Sequence, residues 1–239
     1  MKKLVLTSLF AMFAVSGVQA ANVINNNPLY RPTQGHFYSI TDATAWSGED
    51  YDFRYLVFKT KFGYGITDRL SLSISGAVDA YIPEGQPDYA AWQGLGGELN
   101  FRGINEANWK LDIYGSIYVD GSIGAHWYQN DYNQYNWAIG MRGGYVSDNW
   151  TLAGLVEYNY YNSEIFNWGD PYWLSNFWKF GLNGQYIINN NWNITAGLRY
   201  DIYKEEIYIG GEKEHEDRLH GIFGINYNFD STKFIGLYT

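Results

Sequence analysis

Between Trp137 and Tyr161 the side chains alternate in character. Every second residue before a short polar turn is apolar, aromatic or Gly: Trp137, Ile139, Met141, Gly143 and Tyr145. Beyond the turn the set continues with Trp150, Leu152, Gly154, Val156, Tyr158 and Tyr160, while Asn136, Arg142, Thr151, Glu157 and Asn159 hold intervening positions. Successive side chains of a strand point to opposite faces. A period of two over about ten residues, reversed at a polar turn, therefore predicts a hairpin with one apolar and one polar face. A soluble hairpin shares that alternation; the rings separate the two cases. Tyr145 and Trp150 bracket the turn, and Tyr158 and Tyr160 lie near the far end. Rings at both ends of an apolar strip match two membrane–water interfaces.

The pattern recurs along the chain. Short polar turns are predicted at 67–69, 105–108, 147–149 and 189–191, preceded by Tyr64, Phe101, Tyr145 and Tyr186. Trp109, Trp150 and Trp192 follow three of them directly, and Leu70 follows the first. The steps 70 to 109, 109 to 150 and 150 to 192 are 39, 41 and 42 residues, an internal repeat of one up-down hairpin plus a long loop. A propeller blade needs four strands, and each unit here fits only two of membrane-spanning length.

Strands are predicted at 35–45, 51–64, 70–82, 94–103 and 109–121, in the two arms of the 137–161 hairpin, and at 176–187, 192–204 and 218–229. The fold class that follows is all-β: a transmembrane antiparallel up-and-down β-barrel of ten strands. Such barrels have even strand counts, short periplasmic turns and longer external loops. Closure is the physical remedy for an open sheet edge in lipid, where unmet backbone groups cost several kcal/mol each. Residues 230–239 carry Phe234, Ile235, Leu237 and Tyr238. They fit an eleventh strand, a periplasmic tail or a segment folded back into the barrel, and twelve is the next even count.

Lys2 and Lys3, an apolar run over 4–15 and Val18-Gln19-Ala20 form a predicted targeting segment, 1–20, with cleavage after Ala20. The apolar run is short for a membrane-spanning helix. Residues 21–34, with Pro28 and Pro32, read as an irregular periplasmic lead-in to a barrel over 35–229. Loss of the two lysines takes the net charge from −9 to −11 (−9 − 2), which argues against a nucleic-acid partner. There is no Cys, hence no disulfide, thiolate ligand or thiol nucleophile. High aromaticity (23 Tyr, 10 Trp) with a mean hydropathy of −0.34 is expected where only alternate residues face lipid.

The mature chain resembles bacterial outer-membrane β-barrel proteins over nearly its whole length. The resemblance rests on the repeats, on Gly63-Tyr64-Gly65-Ile66-Thr67-Asp68-Arg69-Leu70, similar to a periplasmic turn of such barrels, and on Gly224-Ile225-Asn226-Tyr227-Asn228-Phe229, similar to their terminal strand. Asn27-Pro28-Leu29-Tyr30-Arg31-Pro32 and Gly35-His36-Phe37-Tyr38-Ser39 resemble the start of some porin-like barrels without an assigned substrate. The resemblance implies the outer membrane of a Gram-negative bacterium. It also implies outer-membrane lipid, periplasmic chaperones and the barrel-assembly machinery as partners, and a monomer.

Inward positions carry both signs: Lys59, Lys61, Glu98, Arg102, Lys110, Asp112, Arg142, Glu157, Lys179, Arg199, Asp201, Arg218 and His220. In a narrow barrel such charges are expected to pair across the lumen. They then form either a stiffening plug or the walls of a narrow path for ions or small polar solutes. Tyr64, Phe101, Trp109, Tyr145, Trp150, Tyr186 and Trp192 are the expected membrane-interface aromatics. Trp92, Trp127, Tyr128, Trp168 and Trp173 fall in predicted long loops, where rings among amides suit surface glycans or proteins, or else extend the girdle. No cofactor or metal is expected. His215 sits among Glu212, Glu214, Glu216 and Asp217, a set with no calcium-loop spacing that reads as a solvated loop. A barrel enzyme, a protease or lipid-modifying catalyst at the outer rim, is the least favoured alternative, and it requires a His–acid or Ser–His pair at one rim.

Overall fold

The computed structural model describes residues 8–13, 27–47, 53–83, 89–121, 132–165, 171–208, 217–228 and 233–238. They form β1 (Ser8–Phe13), β2 (Phe37–Ser47), β3 (Phe53–Gly65), β4 (Leu70–Pro83), β5 (Tyr89–Asn105), β6 (Trp109–Gly121), β7 (Tyr132–Val146), β8 (Trp150–Ile165), β9 (Pro171–Ile187), β10 (Trp192–Tyr208), β11 (Arg218–Asn228) and β12 (Lys233–Tyr238). The fold is all-β. Ten strands, β2 to β11, pair antiparallel in up-and-down order. Within the 230–239 segment, Lys233–Tyr238 form β12, paired to β11. β1 lies within the predicted targeting segment and pairs with β12. The two sheet edges, β1 and β2, lie against each other with no ladder between them among the described residues. Without β1 and β12 the ten long strands keep an even count, so β2 and β11 run antiparallel.

The four short turns fall where the polar breaks predict them, between Gly65 and Leu70, Asn105 and Trp109, Val146 and Trp150, and Ile187 and Trp192. Side-chain oxygens tie three of them. Thr67 Oγ1 accepts from the Leu70 N–H at 2.9 Å, Ser147 Oγ from the Trp150 N–H at 3.2 Å, and Asn189 Oδ1 from the Trp192 N–H at 2.9 Å. Ser, Thr and Asn favour turns because their side chains satisfy nearby backbone donors.

At the opposite, long-loop end the strands run further than the alternation predicts. β5 begins at Tyr89 rather than Gly94, β7 at Tyr132, and β9 at Pro171 rather than Asn176. Trp92 and Trp173, expected in loops, are therefore strand residues, paired in register with Val78 and Tyr208. The strands thus continue past the band over which apolar and polar positions alternate.

Burial is inverted relative to a soluble domain. Asp112, Asn193 and Asn226 are 0% exposed, while Leu219 is 70% and Leu198 57% exposed. Buried polar groups are the informative departure from the usual distribution, and here they fill the interior. Inside, tyrosine rings cover glycines on the adjacent strand. Tyr38 lies over Gly63, Tyr118 over Gly96 and Tyr114 over Gly140, each pair directly opposite in register. A Cβ on Gly63 would sit 2.0 Å from the Tyr38 ring, so the ring takes the space that the missing side chain leaves.

Gly144→Ala is expected to be costly, because its Cβ would meet the Leu152 carbonyl oxygen at 1.9 Å and the Ala153 Cα at 2.7 Å, both backbone. Such overpacking costs about 1–3 kcal/mol or more. Gly115→Ala, whose Cβ has no neighbour nearer than 3.8 Å, stays within about 0.5 kcal/mol of wild type. Urea unfolding midpoints in detergent compare the two.

A charged lumen closed by the chain's own lead-in

The central cluster is assembled by strand register. Tyr114, Gly140 and Glu157 share one row across β6, β7 and β8. With no side chain at Gly140, the Tyr114 ring crosses β7 and its hydroxyl donates to Glu157. The same carboxylate accepts from Lys179, its register partner on β9, and from Asn159 Nδ2 at 3.0 Å. Arg142 stacks over the Tyr114 ring at 3.8 Å and donates to Glu98 at 3.0 Å. Lys61 approaches the other Glu98 oxygen at 3.4 Å. The chain Lys61–Glu98–Arg142–Tyr114–Glu157–Lys179 thus links six strands, β3 and β5 through β9. Charge-assisted contacts of this kind are the strong ones in a poorly hydrated interior.

A second cluster closes the short-turn end. Arg102 pairs with Asp112 through two bonds, 2.8 and 3.2 Å, and also donates to the Leu29 carbonyl. Arg31 reaches Asp112 at 2.9 Å. Both Leu29 and Arg31 belong to the lead-in, which enters the lumen. Leu29 is 2% exposed, Pro32 is buried, and Asn27 donates to Thr151 on β8 at 3.2 Å. Tyr30 meets Tyr38 edge-on at 5.6 Å. The lead-in then leaves the lumen through Gly35, at φ 78°, where the chain turns into β2. Gly65 is open enough for the Thr33 carbonyl to pass; a Cβ there would lie 2.1 Å from that oxygen. Burial, with Arg142 nearby, lowers the Arg31 guanidinium to about 10 against the pull of Asp112. It therefore stays charged at neutral pH.

A third set lies on β10 and β11. Asp201, 2% exposed, takes Arg199 at 3.0 Å and His220 Nε2 at 3.4 Å on the same oxygen. Arg218 donates to the Tyr203 hydroxyl at 3.1 Å and stacks on its ring. Register sets Glu157, Lys179, Asp201 and Arg218 in one row of alternating sign across β8 to β11, the favourable cross-strand arrangement. A His–acid pair thus exists, with an Arg already on its carboxylate. Among the described residues no group of three or more His, Asp or Glu is placed to hold a metal. His126 and His215 lie outside the described residues.

Glu98, Arg142, Glu157 and Lys179 lie in the central cluster, Arg102 and Asp112 in the second, and Arg199, Asp201, Arg218 and His220 form their own group. Two lysines depart from cross-lumen pairing. Lys110 caps its own turn, donating to Asn105 at 3.0 Å and to the Glu106 carbonyl. Lys59 is exposed, two residues nearer the long-loop end than Lys61. Sequence reasoning missed Arg31, Leu29 and Tyr114. The signal available for the first two was a Pro-bounded segment carrying one cation and one large apolar residue. For Tyr114 it was an aromatic at an inward position two residues after Asp112.

The expected interface aromatics lie on the outer face. Trp109 meets Tyr145 at 5.2 Å, Tyr145 stacks on Trp150 at 5.0 Å, and Trp192 meets Tyr227 at 4.8 Å. Tyr64 packs on Phe37 at 4.5 Å, and Phe101 and Tyr186 are exposed. A second set lies toward the long-loop end, with Trp137 stacked on Tyr160 at 5.5 Å and Tyr158 against Trp178 at 5.2 Å. Trp127, Tyr128 and Trp168 lie outside the described residues.

No protein-family model and no curated protein matches the chain. Among solved structures it is similar to the outer membrane protease OmpT from Escherichia coli, at 11% identity and a TM-score of 0.31, over 97% of this chain and 91% of that one. It is also similar to the beta domain of the Bordetella autotransporter BrkA, at 13% identity and a TM-score of 0.25, over 97% and 98%. The ferric yersiniabactin uptake receptor FyuA from Yersinia pestis matches at 10% identity and a TM-score of 0.26, over 94% of this chain and 45% of that chain. The chain therefore spans less than half of FyuA's length.

Glu157→Leu strands Lys179 and the Tyr114 hydroxyl. Removing one partner of a buried pair costs about 3–5 kcal/mol; with Lys179 20% exposed, the lower end is expected. Glu157→Leu combined with Lys179→Met recovers most of that loss. A double-mutant cycle on unfolding midpoints reads the coupling, and additive effects would contradict the network.

Proposed function

We propose that the protein is a small outer-membrane channel of a Gram-negative bacterium, admitting small polar solutes and closed at rest by its own lead-in. The carrying observation is the inversion of burial: Ile139, Leu182 and Leu198 on the outside at 57%, 51% and 57% exposure, Asp112, Asn193 and Asn226 inside at 0%. In water that distribution is unfavourable by the sum of its exposed apolar area. In a bilayer it is the favourable one. The two sets of rings support the same placement. Trp137 and Tyr145 on β7 are eight residues apart, roughly 26 Å along the strand and, with the usual tilt, roughly 20 Å of height. That is near the apolar band of such barrels. The short-turn end, carrying the lead-in, then faces the periplasm, where chaperones and the assembly machinery meet the chain.

A conducting role is favoured over a purely structural one by what the network leaves open. Two polar cavities of about 270 and 180 Å³ share Glu98, Ser116 and Glu157. A barrel filled only for stiffness has side chains in those places. The smaller cavity is floored by Pro28 of the lead-in, so the lead-in is the part that blocks the path.

Two measurements test this reading. Leu182→Arg places a cation on the outer face and is expected to cost about 2–4 kcal/mol in refolding into lipid vesicles, the midplane penalty. A mature chain that stays folded and dispersed in water without detergent would sink the membrane placement. In planar bilayers the full barrel is expected to be nearly silent. Deletion of residues 21–34 opens steady conductance, and Arg31→Ala opens it intermittently. Silence in all three, with folded protein inserted, would leave only the structural role.

A further inference from the structure

We propose that the lumen holds an anion site, and that the larger cavity takes a small hydroxylated carboxylate between Lys61 and Lys179. This rests on the channel reading and names the solute class it serves. The argument is one of charge balance. In the two linked clusters Arg31, Lys61, Arg102, Arg142 and Lys179 face only Glu98, Asp112 and Glu157. Five cations against three carboxylates leave a surplus of two positive charges. The chain as a whole carries −9, so these two clusters are opposite in sign to the protein around them. Buried charge without a counter-charge is costly, and a mobile anion supplies one.

The donors for it are in place. Lys61 and Lys179 both line the cavity of about 270 Å³. Each has one carboxylate partner among the described residues, at one of its three ammonium protons. The buried Nε of Arg142, which borders the adjoining cavity, has no hydrogen-bond partner in the described structure. The rest of the lining is neutral and hydroxylic: Ser73, Ser75, Ser116, Asn136 and Asn159. Ammonium groups recognise a carboxylate, and hydroxyls and amides recognise a polyol. The volume sets the size, since it lies below the ~300–1,000 Å³ of sites for drug-sized ligands.

The test is calorimetric titration of the detergent-purified protein with gluconate, with glucose as the neutral probe and glucosamine as the cationic one. Gluconate is expected to bind, glucose to bind at least about tenfold more weakly, and glucosamine not to bind, because charge-assisted contacts supply the difference. Lys61→Met with Lys179→Met abolishes the preference for gluconate over glucose; Lys59→Met, on the exposed lysine, leaves it intact. The three-ligand comparison on wild-type protein needs no variant to fold. Equal binding of gluconate and glucose, or a preference for glucosamine, overturns the site. Conductance after removal of the lead-in, with no preference for gluconate, overturns the site and leaves the channel. Gluconate bound by a barrel that stays silent even after removal of the lead-in supports the site and overturns the channel.

Discussion

The sheet turns its apolar side chains outward, so every charge it carries on the other face must be settled within the lumen. A soluble protein sends its ions to water and keeps a greasy core. Here the two roles are exchanged, and the interior becomes a finite set of donors and acceptors that have to satisfy one another. That constraint explains why the lumen reads as a chain of contacts from Lys61 to Lys179 rather than as isolated pairs. Each carboxylate serves several donors: Glu157 takes a hydroxyl, an ammonium and an amide. Asp112 takes two guanidiniums. Few acids shared among many cations is the arrangement that uses scarce negative charge most fully.

The glycines are part of the same solution. A strand position without a side chain lets a neighbour's ring lie flat across it, as Tyr114 does over Gly140. That geometry converts a nearest-neighbour lattice into a longer one. Tyr114 reaches Glu157 two strands away, and Arg142 then stacks on the ring. The lead-in obeys the same rule from the other side. Inside the lumen it supplies a backbone carbonyl from Leu29 to Arg102, an amide from Asn27 to Thr151, and the buried Leu29 side chain.

How much of this was legible follows from which forces write a periodic signal. The short turns stand where polar breaks interrupt the alternation, because Thr67, Ser147 and Asn189 are at once turn residues and interruptions. The short-turn ends of the strands are likewise readable, since Trp109, Trp150 and Trp192 mark them. The long-loop ends are not. Tyr89 to Gln93 and Pro171 to Ser175 pair as strand without alternating, and nothing in a period-two scan marks them. The inward charges were legible as a face but not as partners. Register alone tells that Glu157 sits beside Lys179. It does not tell that Lys110 folds back on Asn105, because a long flexible side chain chooses among neighbours that a one-dimensional pattern cannot order. The lead-in carried no periodicity at all, so its place inside the barrel came only from three dimensions.

The imbalance of charge is what separates a stiffening plug from a path. A plug optimised for stability alone tends toward neutrality, since every unmatched ion in a poorly hydrated interior raises its free energy. A wall that must release what it binds has the opposite requirement. It needs a standing excess of one sign, held weakly enough that a passing ion replaces a counter-ion instead of adding to it. Lys61 approaches Glu98 loosely at 3.4 Å, beside the tighter 3.0 Å bond from Arg142 to the same carboxylate. Arg142 fixes Glu98 in place, and Lys61, 37% exposed, keeps donors turned to the cavity. Rigidity and surplus charge thus reside in different side chains of one cluster.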